Sequence, residues 1–430
     1  MFQNFISFLG IFVFVAIAWV FSTNRRRMNW HAILWGIGLQ LAFGFFVFQV
    51  PAGTRLFLFL NDLVVKVVEA SSAGARFLFG ALALPPGVEG SPGFILAFQA
   101  LPTIVFFSAL LSVLYFVNIM PWLIRLFARV FTKLMRISGA ESLCAASNIF
   151  VGVESALTIR PHLPEMTRSE LCTVLTTGMA TIASNVLALY VFILRDQFPT
   201  IAGHLISASI LSAPAAIVMS KVLVPEEEIP KTLGLSVQPH YVRESNLFEA
   251  VITGANAGVR VIVGIAALLL AVLGLIALLD MLVGAAGEKL NTLMQANVDW
   301  TLKGLLGYLF YPLTLIMGVP LHDAVTVAKI VGERTVATEV AGYQDLALAI
   351  SKGTLTDPRS IVITTYALCG FAHFASMAIF VGGTAALAPE RTTALSQVAV
   401  RALVAATLAC LMTGCIAGTF CTGGSILTAR

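Results

Sequence analysis

Apolar positions in this chain fall in long uninterrupted runs. Residues 2–21, 30–48, 94–120, 170–194, 201–224, 300–319, 364–387 and 398–420 form such runs, and another ends near residue 282. Most are close to the ~20 residues that a membrane-spanning helix needs. The strict alternation of a barrel strand is absent, so helices do the spanning. The pattern predicts about eight full spans and two segments that look wrong for spanning.

Three stretches carry polar residues at helical spacing instead. Arg55, Asp62, Lys66, Glu69 and Arg76 are spaced by seven, four, three and seven, which places them on one stripe. Such a helix lies in the membrane interface. Arg125, Arg129, Lys133 and Arg136 follow at steps of four, four and three, with Trp122 at one end. That basic amphipathic helix suits the cytoplasmic headgroup surface, and nothing here points to nucleic acid. Glu249, Thr253, Asn256 and Arg260 mark a third interfacial stripe.

Composition fits this reading. Apolar residues make up 58% and charged residues 11% of the 430, with mean hydropathy +0.92. A soluble chain cannot hide that much apolar surface, so this is an all-α integral membrane protein in contact with the lipid bilayer. A net charge of +4 says little about partners. Residues 2–21 are too long and uninterrupted for a signal peptide. Arg25, Arg26 and Arg27 follow them, which places that end in the cytoplasm and the N-terminus outside. The six cysteines show no metal-ligand spacing and read as small packing residues.

The two odd segments resemble each other. NIFVGVESALTIRPHL (148–163) holds Glu154, and VAKIVGERTVATEVAGYQDL (327–346) holds Glu339. Each carboxylate sits among small and apolar residues. Each segment is followed by a helix of glycines and hydroxyls, GMATIASNVLALY and CGFAHFASMAIFVGG, and then by a conventional span. This is a duplicated unit. It divides the chain into residues 1–138 (scaffold side), 139–224 (first repeat with re-entrant hairpin 1), 225–320 (polar linker and scaffold spans) and 321–430 (second repeat with re-entrant hairpin 2). A carboxylate at membrane depth is expensive, so it faces a protein-lined cavity or an ionic partner. Paired, glycine-interrupted segments in corresponding positions point to a transporter's substrate site. Glu154 and Glu339 are therefore expected to face one central cavity. The alternative is that each pairs with a neighbouring arginine, Arg160 or Arg334, and only staples the fold.

At these residues the chain resembles the concentrative nucleoside transporters. The resemblance covers nearly everything beyond the first span. It is strongest in SGAESLCAASNIFVG, IRPHLPEMTRSEL, YALCGFA and RALVAATLACLMTGCIAG. It implies a homotrimer of eight-helix protomers with two re-entrant hairpins, importing nucleosides with sodium or protons. It also implies substrate contacts at Gly152, Val153, Glu154, Glu339, Phe371, His373 and Ser376. The family's first hairpin reads glycine, glutamine, threonine, glutamate; here Gly152, Val153, Glu154 is one residue shorter and lacks the groups that address the base. Glu339 resembles the ribose-binding carboxylate, with Thr338 and Val340 replacing its usual asparagine and phenylalanine neighbours. Phe371 and Ser376 match the family, and His373 stands where an asparagine is usual. The implied sodium ligands are Asn148, Val151, Thr181 and Ile182.

The resemblance thus implies a cation-coupled symporter of a bacterial inner membrane, with sodium as coupling ion and no other cofactor. Proton coupling through His373, and a non-transporting nucleoside sensor, are the alternatives. Asn185 either lines the cavity or bonds a neighbouring helix. No metal-ligand cluster or nucleophile–base pair marks an enzyme.

Overall fold

The computed structural model describes residues 2–240, 244–295 and 298–422. Residues 241–243 of the polar linker and 423–430 of the second repeat lie outside the described residues. Within that range the protein is all helical apart from one isolated backbone bridge, Ser138 to Leu233.

The first third holds α1 (Phe2–Val20), α2 (Trp30–Gln49), α3 (Pro51–Phe79), the short α4 (Leu96–Gln99), α5 (Pro102–Phe116) and α6 (Ile119–Met135). Asn29 caps α2 through Ala32 N, and Pro51 opens α3. α3 and α6 are the two amphipathic helices expected from their stripes. The run 94–120 is three pieces: Pro102 starts α5, and Asn118 in the left-handed region (φ 66°) turns the chain into α6.

The first repeat contains α7 (Gly139–Asn148), a 3-10 segment (Val153–Glu165), α8 (Arg168–Ala180), α9 (Ser184–Leu194) and α10 (Ile201–Leu223). Capping boxes Ser138/Glu141 and Thr167/Glu170 start α7 and α8. Then come α11 (Leu247–Met294) and α12 (Leu302–Ile316). The second repeat contains α13 (Leu321–Arg334), α14 (Glu339–Ser351), α15 (Pro358–Leu368), α16 (Phe374–Leu387) and α17 (Thr392–Phe420). Among the described residues, seven stretches are long and apolar enough to cross a membrane, and α12 and α16 are shorter apolar helices.

Two expectations need correction. The stripe 249–260 is no separate interfacial helix, because α11 runs unbroken for 48 residues. No proline interrupts it, and Gly254 and Gly258 seat it on α5. A Cβ at Gly254 would lie 2.7 Å from Ala109 Cα, and one at Gly258 2.7 Å from Val105 Cα. This small-xxx-small spacing lets the two backbones approach closely. The run 300–319 yields only the 15-residue α12, closed by Gly318 at φ +81°.

α10 and α17 form the buried centre, while α11 shows most of its apolar surface to the outside. Both runs following the hairpins are interrupted. The run 170–194 unwinds at 181–183, and 364–387 unwinds at 369–373. The two unwound stretches meet at Gly370 (φ +144°), where a Cβ would lie 2.8 Å from Ala180 O. Only glycine fits there.

The hairpins enter from opposite faces. At one face, Thr23 N donates to Leu223 O at 3.0 Å and Arg27 donates to Glu227 O at 3.0 Å. His31 Nε2 lies 2.9 Å from Leu134 O. This gathers Arg25, Arg26, Arg27, Lys133 and Arg136 where hairpin 1 starts and ends, and the cation excess marks a cytoplasmic face. At the other face, Arg359 donates to Gly318 O, Gln3 O and Cys421 O at 3.0, 2.9 and 3.3 Å, beside the start of hairpin 2. Lys303 of α12 then pairs with Glu333 of α13 (2.5 Å) and Asp345 of α14, tying the two arms together.

Candidate functional site

The tips of the two hairpins and the two unwound stretches converge on one cavity of about 260 Å³. Gly152, Val153 and Glu154 enter it from hairpin 1, and Thr338 and Glu339 from hairpin 2. Phe371, His373 and Ser376 enter from the second unwound stretch and α16. All seven substrate residues expected from the sequence therefore share one space. The side chain of Glu154 is exposed to it, and among the described residues no salt bridge joins Glu154 to Arg160 or Glu339 to Arg334. The arginine pairs offered as the alternative are not made among the described residues.

Glu339 is the first residue of α14, capped by Thr338, whose Oγ1 accepts from Ala341 N at 3.4 Å. A helix N-terminus favours negative charge. Its Oε1 accepts from Tyr190 OH at 2.7 Å. Its Oε2 lies 2.9 Å from His373 Nε2, yet has no aligned hydrogen-bond donor. Thus Oε1 is committed to Tyr190, and Oε2 faces His373.

His373 caps α16: its Nδ1 accepts from Ser376 N at 3.2 Å. An accepting Nδ1 carries no proton, so the ring is the neutral tautomer with its hydrogen on Nε2, beside Glu339. Ser376 returns the cap through its hydroxyl and donates to His373 O at 2.7 Å and to Phe371 O. Its hydroxyl is therefore occupied in shaping the bend.

The remaining walls are apolar. α9 supplies Val186, and α11 supplies Val261, Ile265, Leu268 and Leu269. Asn185 takes both positions open to it: it lines the cavity, and its Nδ2 donates to Ser108 Oγ of α5 at 3.1 Å. A second cavity, of about 340 Å³, lies behind the hairpin 1 tip and shares Gly152, Glu154 and Asn185 with the first.

Sequence reasoning missed Tyr190 and the α11 wall. Tyr190 is fully buried, stacks on Tyr343 with centroids 4.4 Å apart, and Tyr343 OH donates to Thr365 O at 3.1 Å. The only signal was one hydroxyl in the run LALYVFIL.

Of the expected sodium ligands, Asn148 and Thr181 both bond Thr177, and Ser209 Oγ lies between Ile149 O and Ile182 O at 2.9 and 3.5 Å. Asn148 is the last residue of α7, and Thr181 and Ile182 follow the end of α8. Two helix C-termini thus meet there, the end that favours cations. Asn148 is fully buried; its Nδ2 donates to Thr177 Oγ1 at 3.1 Å, and its Oδ1 has no donor. Thr181 Oγ1 donates to Thr177 O at 2.9 Å, which leaves its lone pairs free. Val151 lies in the tip next to Gly152. An all-oxygen set with an orphaned amide oxygen fits a hard monovalent cation.

Two oppositely inserted hairpins, two broken helices and a cavity between them define an inverted-repeat secondary transporter. Comparison with known proteins narrows the class. Models of the Na+ dependent nucleoside transporter C-terminus and N-terminus match residues 204–418 and 9–82, and a nucleoside-recognition gate model matches 97–197. Solute carrier family 28 member 3 of Mus musculus is 36% identical, over 97% of this chain and 59% of its own length. The uncharacterized transporter YutK of Bacillus subtilis is 34% identical, over 96% of this chain and 98% of its own. A solved structure of CNTnw in an inward-facing, substrate-bound state matches with TM-score 0.88 and 34% identity, over 97% of this chain and 98% of that one. The chain spans about three fifths of the length of the mouse and human solute carrier relatives. It belongs to the Na+-dependent, concentrative nucleoside transporter family, whose members are transporters and not enzymes.

Proposed function

We propose that this protein is a sodium-driven symporter that carries nucleosides, or a nucleoside-like solute, inward across a bacterial inner membrane as a homotrimer. The observation that carries the reading is the convergence of Glu339, His373 and Phe371 on one cavity between the hairpin tips. Glu339 is a buried carboxylate held by Tyr190 on one oxygen and lying 2.9 Å from His373 Nε2 on the other, and its remaining lone pairs can accept a substrate hydroxyl. Hydrogen bonds to a carboxylate are the strong kind, so Glu339 dominates affinity, with His373 beside it at the sugar. Phe371 supplies the apolar face for the base. Gly152, Val153 and Glu154 close the other end with few donors, so discrimination among bases is weak there.

Sodium fits the coupling role better than a proton. Asn148, Val151, Thr181 and Ile182 offer oxygens, whereas Nδ1 of His373 is taken up as a helix cap. Sodium at the hairpin 1 tip orders Gly152 to Glu154, which improves the solute site, and the solute improves sodium binding in return.

The test is thermal melting of the purified protein with nucleosides, nucleobases and modified nucleosides, with and without sodium. Ligands of the folded state raise its apparent stability. Nucleosides should raise the melting temperature, and more so in sodium. No response to any nucleoside in either salt contradicts the reading.

A further inference from the structure

Arg334 is a fully buried guanidinium with no carboxylate partner among the described residues. Its Nη1 donates to Ala367 O at 2.6 Å, the thiol of Cys410 lies against the guanidinium, and Nε and Nη2 have no oxygen acceptor among the described residues. A buried charge without a counter-ion is costly, so its presence calls for a reason.

The internal duplication supplies one. Arg334 is the last residue of α13, as Asn148 is the last residue of α7. Each opens the tip of its hairpin. Asn148 reaches Thr177 in the last turn of α8, and Arg334 reaches Ala367 in the last turn of α15. Both α8 and α15 then unwind, at 181–183 and 369–373. In each repeat, therefore, the C-terminal ends of two helices converge behind a hairpin tip, and both ends favour positive charge. In the first repeat the group placed there is a neutral amide with an orphaned oxygen. In the second it is a cation on a tether.

We propose that the Arg334 guanidinium fills the second repeat's counterpart of the first repeat's cation site, so that the protein is built to take one coupling cation per cycle. The inference rests on the sodium-coupled reading above and goes further by fixing the number of ions. The fixed charge holds hairpin 2 permanently in the state that sodium induces only transiently in hairpin 1. Glu339, five residues on, is thereby kept ready for substrate.

The test measures uptake of a nucleoside into proteoliposomes against sodium concentration, with sodium and nucleoside fluxes counted together. Wild-type protein should show a Hill coefficient near one and equal fluxes. Two sodium ions per nucleoside in the wild type would overturn the proposal and leave sodium coupling intact. Sodium-independent uptake would overturn the coupling reading and the proposal with it. Arg334→Lys should keep uptake. Arg334→Ala should lose at least 10-fold in uptake, and millimolar guanidinium should restore it, or raised sodium should do so with a steeper dependence. A folded Arg334→Ala protein that neither ion rescues, or one that behaves as wild type, contradicts the tethered-cation role. If that variant does not fold, the wild-type flux ratio still decides.

Discussion

Tyr190 and Glu339 come from opposite repeats and meet at 2.7 Å, hydroxyl to carboxylate. The contact occupies one carboxylate oxygen, and His373 Nε2 lies 2.9 Å from the other. The contact is held in turn by the stacking of Tyr190 on Tyr343. Tyr190→Phe keeps the stack and removes the donor. A hydrogen bond to a charged group contributes about 1.5–3 kcal/mol. The substitution should therefore raise the apparent KM for nucleoside by roughly 10-fold or more. Maximal rate and half-saturating sodium should change little. Kinetics in proteoliposomes would show whether the loss lies in affinity, as expected, or in rate.

Glu339→Gln exchanges an acceptor oxygen for an amide that also donates, at the position facing the Nε2 hydrogen of His373. Nucleoside binding measured by calorimetry should fall at least ~100-fold, which corresponds to about 2.7 kcal/mol. The variant should still elute as folded protein. Affinity equal to wild type would remove Glu339 from the substrate site.

The orphaned Oδ1 of Asn148 gives the sodium assignment its own test. Asn148→Ala removes that oxygen without adding bulk. Sodium should no longer raise the melting temperature, and half-maximal uptake should need about 10-fold more sodium. An unchanged sodium response would move the ion elsewhere.

Lys221 is buried at the end of α10, 2.5 Å from Glu141 and 3.3 Å from Glu226. Lys221→Met strands Glu141 beside the capping box that starts hairpin 1. Breaking a buried pair costs about 3–5 kcal/mol. The variant should melt well below wild type in detergent, whatever ligand is present. A melting temperature within a degree of wild type would show that the pair is dispensable.

Much of this architecture was legible in the sequence, and the reason is the solvent. In lipid, a polar residue must be explained, so Glu154, Glu339 and Asn148 stood out against their neighbours. The matched positions of Glu154 and Glu339 in the repeat foretold a shared cavity, and both line it. The stripes at 55–76 and 125–136 read correctly because period and polarity agreed. The stripe at 249–260 misled because its small polar residues pack on α5 through Gly254 and Gly258 within a longer helix. Interruptions at 181–183 and 369–373 left only glycine and hydroxyl content as a trace. Tyr190 was hidden because an aromatic residue in an apolar span looks like packing, and its partner lies 149 positions away. His373 was visible, but its use as a helix cap depends on where α16 begins.

On the proposed function, this cavity passes nucleosides uphill at the expense of a sodium gradient. The most direct measurement is uptake of a labelled nucleoside into proteoliposomes with sodium outside and choline inside, at equal pH. Accumulation above the external concentration that disappears when choline replaces the external sodium is the expected result. Accumulation that survives that replacement and collapses with a protonophore, or nucleoside binding without any uptake, would contradict it.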